Sequence, residues 1–420
     1  MGEILLSVTK RQQAADLTMV KRANTSLIAN TLRTQGPLSK AQLSRITNLT
    51  KSTVSSIVNE LIAQGIVREA GIGSAGSTGG RRPVMLELNE HAFYVVGLDI
   101  GTTAIHAIVT NLTGVVLNEK RILSLPRDGL HSLIHRTVQL IQATVQESGV
   151  EMQAILGVGV AAAGLVDHQQ GLIRFSPNFG WRNVPLGSLL QEVLNVPVWV
   201  DNCTRVMARG EMWFGSGKDV SNLLYVNVGY GIGSALVIDG ELLGRDSEMG
   251  HVTVQDDGPL CGCGKHGCVE AISSGSAIEA RAREAAVQQH STLLLELCQG
   301  DVTAISGEMV ASAAEAGDLV SQKIISEAGE YLGRAIAAVV NAYNPELVIV
   351  GGGVSQAGKL FLEPVRRGFQ KHVMPDFYAE NKIVGSRLGT RGGVLGGAGL
   401  VLGKGSELDV DLFFEQDERA

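Results

Sequence analysis

Two stretches of this 420-residue chain repeat one design: Y-V-V-G-L-D-I-G-T-T-A-I-H-A-I-V starts at Tyr94 and L-L-Y-V-N-V-G-Y-G-I-G-S-A-L-V-I at Leu223. Each reads as an apolar strand, a glycine turn and a second strand. A third glycine turn, Gly351 to Gly353, ends the run L-V-I-V. The repetition predicts a duplicated α/β body whose two lobes carry glycine turns at strand ends, with a cleft between them. Glycine admits positive φ and lets backbone amides approach an anion closely. Asp99, followed by Gly101-Thr102-Thr103, can present a carboxylate to a magnesium ion and hydroxyls to phosphate oxygens. An ordinary hairpin turn accounts for any one such motif as well. Three at strand ends are harder to explain that way.

The length exceeds what one core supports, so two or three domains are expected. With 45% hydrophobic and 18% charged residues, the chain has the composition of a packed globular protein rather than a disordered one. Its apolar runs are short and interrupted by glycine, and the N-terminus lacks the pattern of a signal peptide. A cytoplasmic protein with no membrane partner is expected. The net charge of -7 is unevenly spread: residues 1–90 hold eleven Lys and Arg against six Asp and Glu, leaving +5 there and -12 in the remainder. A basic head on an acidic body suits a nucleic-acid-binding module joined to a solubilising domain.

Within the head, Ser39 followed by Gln42 is a capping box that predicts a short helix burying Leu43 and Ile46. A turn at Thr47-Asn48 follows, and Thr50 caps a second helix whose Val54, Val58 and Leu61 form a buried face. Gly65 stops it. The opposite face offers Lys51, Ser52, Thr53, Ser55, Ser56 and Asn59, all with hydrogen-bonding tips. Ile66-Val67 starts a strand, and G-S-A-G-S-T-G-G-R-R-P-V-M-L-E-L returns as another after a basic loop. Cap, turn, periodicity and returning strands agree on a winged helix-turn-helix over residues 1–90, with its second helix reading a major groove. Arg81 and Arg82 at the wing tip suit a minor groove or phosphates, and Lys21 and Arg22 suit further backbone contacts.

In G-H-V-T-V-Q-D-D-G-P-L-C-G-C-G-K-H-G-C-V-E, Cys261, Cys263 and Cys268 lie close together with His251 just upstream. Three thiolates and an imidazole are the ligand set of a closed structural zinc site. Clustered spacing favours Zn2+ over free thiols or disulfides in a reducing compartment. His266 is a second-ranked ligand, and isolated Cys298 is expected in the core. Four protein ligands leave no open coordination position, so the ion would fix a loop and do no chemistry. That loop also carries Glu248 and Glu270, and two carboxylates beside a metal-held imidazole suit a hydroxyl-rich ligand such as a sugar.

E-M-G-H with C-G-C-G-K-H-G-C-V-E, D-I-G-T-T, the glycine turns and N-P-E-L-V-I-V-G-G-G closely resemble the ROK family of sugar kinases and sugar-responsive repressors, from about Lys21 to about Gly403. The resemblance implies a two-lobed actin/hexokinase-like body. A winged head marks the repressors, and K-S-T-V-S-S-I-V-N-E-L with G-G-R-R-P-V-M-L looks most like the xylose-repressor branch. Metal ligands carry over to His251, Cys261, Cys263 and Cys268, and sugar contacts to Gly164, Asn202, Glu248, His251 and Glu270. ROK kinases read E-N-D-A-N where this chain reads D-N-C-T-R, so Cys203 stands at the position of the catalytic base. A thiol is a poor base for a sugar hydroxyl, with Arg205 the one motif residue placed to activate it. Tyr230 also replaces the small residue of a G-T-G phosphate turn, and Ala163 a proline before Gly164. Asn202 and Cys203 are therefore expected to hold a ligand rather than transform it.

The expected protein is a repressor of carbohydrate-metabolism genes, a homodimer or homotetramer that binds double-stranded operator DNA and a sugar or sugar-derivative effector. The alternative is an ATP-dependent sugar kinase with a regulatory head, in which Asp201 substitutes as base. A zinc-stabilised scaffold that binds DNA constitutively is the third reading. Residues 91–200 would form the first lobe, completed by a helix near 390–405. Residues 201–389 would form the second, with the zinc loop and the dimerisation surface, and the acidic segment 406–420 a frayed tail.

Overall fold

The computed structural model describes residues 17–74, 82–244, 247–288, 292–379, 382–404, 407–410 and 413. Two compact units emerge, one from the chain up to Ala92 together with the chain from Glu407 onward, the other from Phe93 to Ser406.

In the first unit, α1 (Leu17–Gln35), α2 (Lys40–Thr47) and α3 (Lys51–Ala63) precede the antiparallel pair β1 (Val67–Ile72) and β2 (Val84–Leu88). Both arms of the capping box form: the Ser39 side chain accepts from Gln42 N, and Ser39 N donates to Gln42 Oε1 at 2.9 Å. Such caps contribute about 1 kcal/mol each. Asn48 ends α2 in the left-handed region at φ 56°, which turns the chain into α3. Leu38 pairs with Leu86 through two 2.9 Å backbone bonds and adds a third edge to the wing. The core takes Leu43, Val54, Ile57, Val58 and Leu61. Ile46 is not in it. At 41% exposed it sits on the last turn of a short helix whose single buried position is Leu43, so the expectation that Ile46 is core is corrected. Arg81 falls outside the described residues.

Of the segment expected to fray, the described residues do not: Leu408, Val410 and Phe413 are buried, and a short strand, Glu407–Leu408, lies on α1 within the first unit.

The second unit is built twice on one plan. β3 (Tyr94–Ile100), β4 (Ala104–Asn111) and β5 (Val116–Leu123) meander, α4 (Gly129–Ser148) follows, and β6 (Ile155–Ala162) joins β3 in parallel. A small sheet of β7 (Leu165–Asp167), β8 (Leu172–Ser176) and β9 (Trp181–Val184) intervenes, then α5 (Leu186–Leu194), β10 (Val198–Asn202) and α6 (Cys203–Phe214). The second copy runs through β11 (Leu223–Val228), β12 (Ile232–Ile238) and β13 (Glu241–Leu242), then α7 (Val269–Ser273), α8 (Gly275–Val287), α9 (Thr292–Leu297), α10 (Gly307–Glu315) and α11 (Leu319–Tyr343). β14 (Leu347–Gly351), α12 (Lys359–His372) and β15 (Ile383–Gly385) complete it, and α13 (Gly392–Leu402) returns to the first sheet. The sheet orders, β5-β4-β3-β6-β10 and β13-β12-β11-β14-β15, are the same topology. The expected duplication is thus present strand for strand.

Alternation of large apolar and small residues explains how the layers meet. α13, G-G-V-L-G-G-A-G-L-V-L, lays its backbone directly on β3 and β6, where a Cβ on Gly97 would lie 1.8 Å from Val394 O and one on Gly159 1.9 Å from Gly397 O. No other residue tolerates that approach. The same helix packs on α6, so α6 and α13 form a spine along the first sheet.

Candidate functional site: a metal cluster, a cleft wall and an exposed helix face

The metal cluster grows from a loop that glycine makes possible. Gly264 and Gly267 hold φ of 89° and 68°, and a Cβ on Gly267 would lie 1.6 Å from Gln255 O. Cys261 N donates to Lys265 O at 2.8 Å, Thr253 bridges to Cys268, and Lys265 Nζ donates to His251 O at 3.0 Å. These bonds bring one ligand atom each from His251, Cys261, Cys263 and Cys268 to within 4.8 Å of one another. Cys261 Sγ lies 3.5 Å from His251 Nδ1, and Cys263 Sγ lies 3.6 Å from Cys268 Sγ. Zinc–sulfur and zinc–nitrogen bonds of about 2.3 and 2.0–2.1 Å give tetrahedral edges of about 3.8 Å (S–S) and 3.5 Å (S–N), so these four residues fit a zinc ion. Burial first, then the neighbouring thiols, push the Cys268 thiol upward, a penalty that a cation at the centre would remove. His266 stands outside the cluster, its Nδ1 directed at Gly258 O at 3.1 Å. Cys298 is buried in the core as expected.

Beside the thiol cluster, His251 Nε2 faces Glu248 Oε2 at 3.8 Å, and Nδ1 lies 4.0 Å from Glu270 Oε1. Glu270 Oε2 accepts from Ile232 N at 2.9 Å, which fixes the carboxylate. Glu248, His251 and Glu270 therefore gather as one group. Gly164, Asn202 and Cys203 form another: Asn202 Nδ2 donates to Gly164 O at 2.9 Å, while its Oδ1 caps α6 by accepting from Thr204 N and Arg205 N. The groups are joined through Thr204, whose hydroxyl fills the space a Cβ on Gly233 would need, one residue from Ile232.

The group around Asn202 carries the altered chemistry. Burial, then the Asp99 carboxylate, push the Cys203 thiol up to about 11, so at neutral pH it is an uncharged group and no general base. Arg205 does not activate it. Its Nε donates to both oxygens of Asp201, at 3.0 and 3.1 Å, and its Nη1 to Leu243 O at 2.6 Å, with both side chains buried. Asp201 is committed to that ion pair and to Asn202 N at 2.7 Å. Neither the pair nor its partner carbonyl was legible in the sequence, where Leu243 lies far downstream of the motif.

Burial also pushes Asp99 up to about 6, with Arg121 opposing it. Its carboxylate presses on the start of α13, where a Cβ on Gly393 would lie 2.4 Å from Oδ2. The glycine turns stand at strand ends as expected: Gly101 to Thr103 between β3 and β4, Gly229 to Gly231 between β11 and β12, and Gly351 to Gly353 after β14. Tyr230 is 74% exposed at the tip of the second turn.

In the first unit the outer face of α3 exposes Lys51, Ser52, Ser56 and Asn59, with Thr53 and Ser55 half-buried beside them. Thr50 Oγ1 caps the helix and holds the hydroxyls of Ser52 and Thr53, both at 2.8 Å. Lys40 was missed by sequence reasoning: from the first position of α2 its Nζ reaches Asn59 Oδ1 at 2.7 Å and Ser55 Oγ at 3.4 Å, adding a charge to this face. Arg82 is exposed on the wing. Lys21 instead pairs with Glu60 on α3 at 2.8 Å, which ties α1 to α3. The described residues contain no helix long and apolar enough to cross a membrane.

Comparison with known proteins agrees with this division. Residues 16–73 match the MarR family and residues 95–404 the ROK family. A xylose repressor of Caldicellulosiruptor bescii is 34% identical over 390 residues, 92% of this chain and 96% of that protein. A glucokinase of Thermotoga maritima is also 34% identical, over 312 residues that cover 73% of this chain and 96% of the enzyme. Among solved structures, a ROK family transcriptional regulator described as a homolog of the E. coli MLC protein superposes with TM-score 0.80 at 26% identity, covering 96% of this chain and all of the other. The match spans most of the chain in the two regulators and leaves about a quarter of it unmatched in the kinase. With its duplicated body, its cysteine loop and a match spanning most of its length, the chain belongs to the ROK family.

Proposed function

We propose that this chain is a sugar-responsive transcriptional repressor of carbohydrate metabolism and not an enzyme. The observation that carries the reading is the pairing of a helix-turn-helix unit with a ROK body whose base position holds a neutral thiol. At Cys203 no proton acceptor is available, and the carboxylate beside it, Asp201, is locked to Arg205. Loss of the base costs a kinase its chemistry but leaves hydrogen bonding to a sugar intact. The same lock weighs against the kinase alternative.

In this reading Gly164, Asn202, Cys203, Glu248, His251 and Glu270 contact the effector, and His251, Cys261, Cys263 and Cys268 hold a structural Zn2+ that sets the loop bearing the two glutamates. The α3 residues Lys51, Ser52, Thr53, Ser55, Ser56 and Asn59 read a major groove, with Arg81 and Arg82 of the wing against the backbone or minor groove. Two heads in a homodimer, or pairs of them in a homotetramer, meet a palindromic operator. The setting is cytoplasmic. The boundaries proposed are a head over residues 1–90, a first lobe over 91–200 with the helix near 390–405, and a second lobe over 201–389.

The test is a fluorescence-anisotropy titration of the protein on DNA from upstream of its own gene, at fixed salt, repeated with sugars and sugar phosphates. Specific binding abolished by one compound is expected. Tight operator binding that no compound modulates removes the sensing role, and sugar-dependent ATP turnover restores the kinase.

A further inference from the structure

The three thiols of the cysteine loop meet solvent unequally. Among the described residues Cys263 is the one exposed thiol; Cys261, Cys268 and Cys298 are buried and Cys203 is half-buried. Cys268, at 0% exposed, offers an oxidant no approach of its own, yet its Sγ lies 3.6 Å from Cys263 Sγ. That is the separation of two ligands on one ion, and it is also short enough for the two sulfurs to join. Cys261 is turned elsewhere, its Sγ facing His251 Nδ1 at 3.5 Å and Glu270 Oε1 at 4.0 Å.

Closing from 3.6 Å to the about 2.0 Å of a disulfide requires one end of the pair to move. Cys268 is the fixed end: it bridges to Thr253, and neighbouring Gly267 is packed so closely that a Cβ there would lie 1.6 Å from Gln255 O. Cys263 is the movable end. Next to it Gly264 holds φ of 89°, and a Cβ on Gly264 would meet nothing within 4 Å.

We propose that Cys263 is an oxidation site, attacked by a two-electron oxidant of the peroxide class and resolved by Cys268 as a disulfide. Thiols that ligate zinc are held as thiolates, so both sulfurs are nucleophiles at neutral pH. Cys263 Sγ attacks one peroxide oxygen, the O–O bond breaks, hydroxide leaves and the sulfur becomes a sulfenic acid. Cys268 Sγ then attacks the Cys263 sulfur, which forms the S–S bond and expels a second hydroxide. Two thiolates have lost two electrons and one peroxide has gained them. The disulfide withdraws two of the four metal ligands, and His251 with Cys261 is too small a set to hold zinc. The site rests on the cysteine geometry. Its consequence for sensing rests on the repressor reading above, since the released loop is the one that carries Glu248, His251 and Glu270.

The full-length, zinc-loaded protein is treated with hydrogen peroxide, its remaining thiols are alkylated, and it is digested with trypsin. Lys265 lies between the two cysteines, so the disulfide joins the peptide ending at Lys265 to the one beginning at His266, and reduction separates them. Fragmentation of the joined pair assigns the bond to Cys263 or to Cys261. The expected result is a Cys263–Cys268 bond that forms in step with zinc release, about one ion per disulfide. Cys263→His keeps four ligands of a structural zinc site without the exposed sulfur, and should hold its metal at peroxide concentrations that strip the parent. Zinc release from Cys263→His as fast as from the parent, or an oxidised parent with no bond between Cys263 and Cys268, overturns the proposal. Peptide assignment in the parent decides the matter alone if Cys263→His does not fold. Operator titration of reduced and oxidised protein, with D-xylose and D-glucose as probes, separates the two readings. Joined peptides from a protein that binds no operator leave the oxidation site standing and remove the repressor. Sugar-modulated operator binding by a protein that forms no such disulfide does the reverse.

Discussion

Asp201→Asn should be among the most damaging isosteric changes in this protein. The side chain is 2% exposed and its two oxygens take the Nε–H of Arg205, itself buried, at 3.0 and 3.1 Å. Arg209 lies nearby in the same mass; burial lowers its pKa, and the Asp201 charge opposes that fall. An amide in place of the carboxylate keeps the shape but leaves guanidinium charge in the interior without its counter-ion. Breaking a buried pair from one side costs about 3–5 kcal/mol. With a urea slope of about 3 kcal/mol per M, the midpoint of the second unit falls by about 1–1.7 M. Arg205→Met alone should cost a similar amount, since it strands the carboxylate and also leaves Leu243 O without its donor. The double variant removes both charges and should cost only about 1–3 kcal/mol, far less than the sum of the singles. Urea unfolding followed by tryptophan fluorescence measures all four proteins. Additive losses, or a single-variant cost under about 1 kcal/mol, would refute the claim that Asp201 is structural, and would return it to candidacy as a base.

Metal analysis should find one zinc per chain, and chelation should lower the thermal midpoint and raise exchange across residues 251–270, because an ion held by His251, Cys261, Cys263 and Cys268 would cross-link both ends of that loop. For Asp99, whose pKa rises from 3.8 to about 6, the sign is that of a group the fold prefers protonated. It costs nothing below about pH 4, where it is neutral folded and unfolded, and destabilises increasingly as pH rises toward 6, by at most about 3 kcal/mol above it. Asp99→Asn should therefore stabilise the protein at pH 8 and leave it unchanged at pH 3.5; equal effects at both would rule out the titration. Lys51→Ala should weaken operator binding and reduce the salt slope by about one ion, measured by anisotropy over a salt series. An unchanged slope would take Lys51 off the phosphate backbone.

Much of the molecule was written in short windows of sequence. Ser39 with Gln42, the turn at Thr47-Asn48 and the cap at Thr50 each act over three or four residues, and each formed as read. The duplication was visible because strand, glycine turn and strand recur as local patterns. The convergence of His251, Cys261, Cys263 and Cys268 was legible from spacing, since a tight loop brings them together. Burial decided the rest. Ile46 fits the helical period of α2, yet that short helix has no neighbour to cover its last turn. Asp201 read as a substitute base in the kinase alternative and Arg205 as the residue placed to activate Cys203, until the fold buried both as a pair and supplied Leu243 O as a third partner. The C-terminal island looked like an end free to fray because nothing near it in sequence could bury Leu408; α1, at the other end of the chain, takes its strand and bonds its amide. A capping bond or a glycine turn is decided by the conformational energy of a few adjacent residues, so sequence suffices for it. A buried charge pair or a seated terminal strand depends on which distant surfaces exclude water together, and only the tertiary structure brings those surfaces into contact.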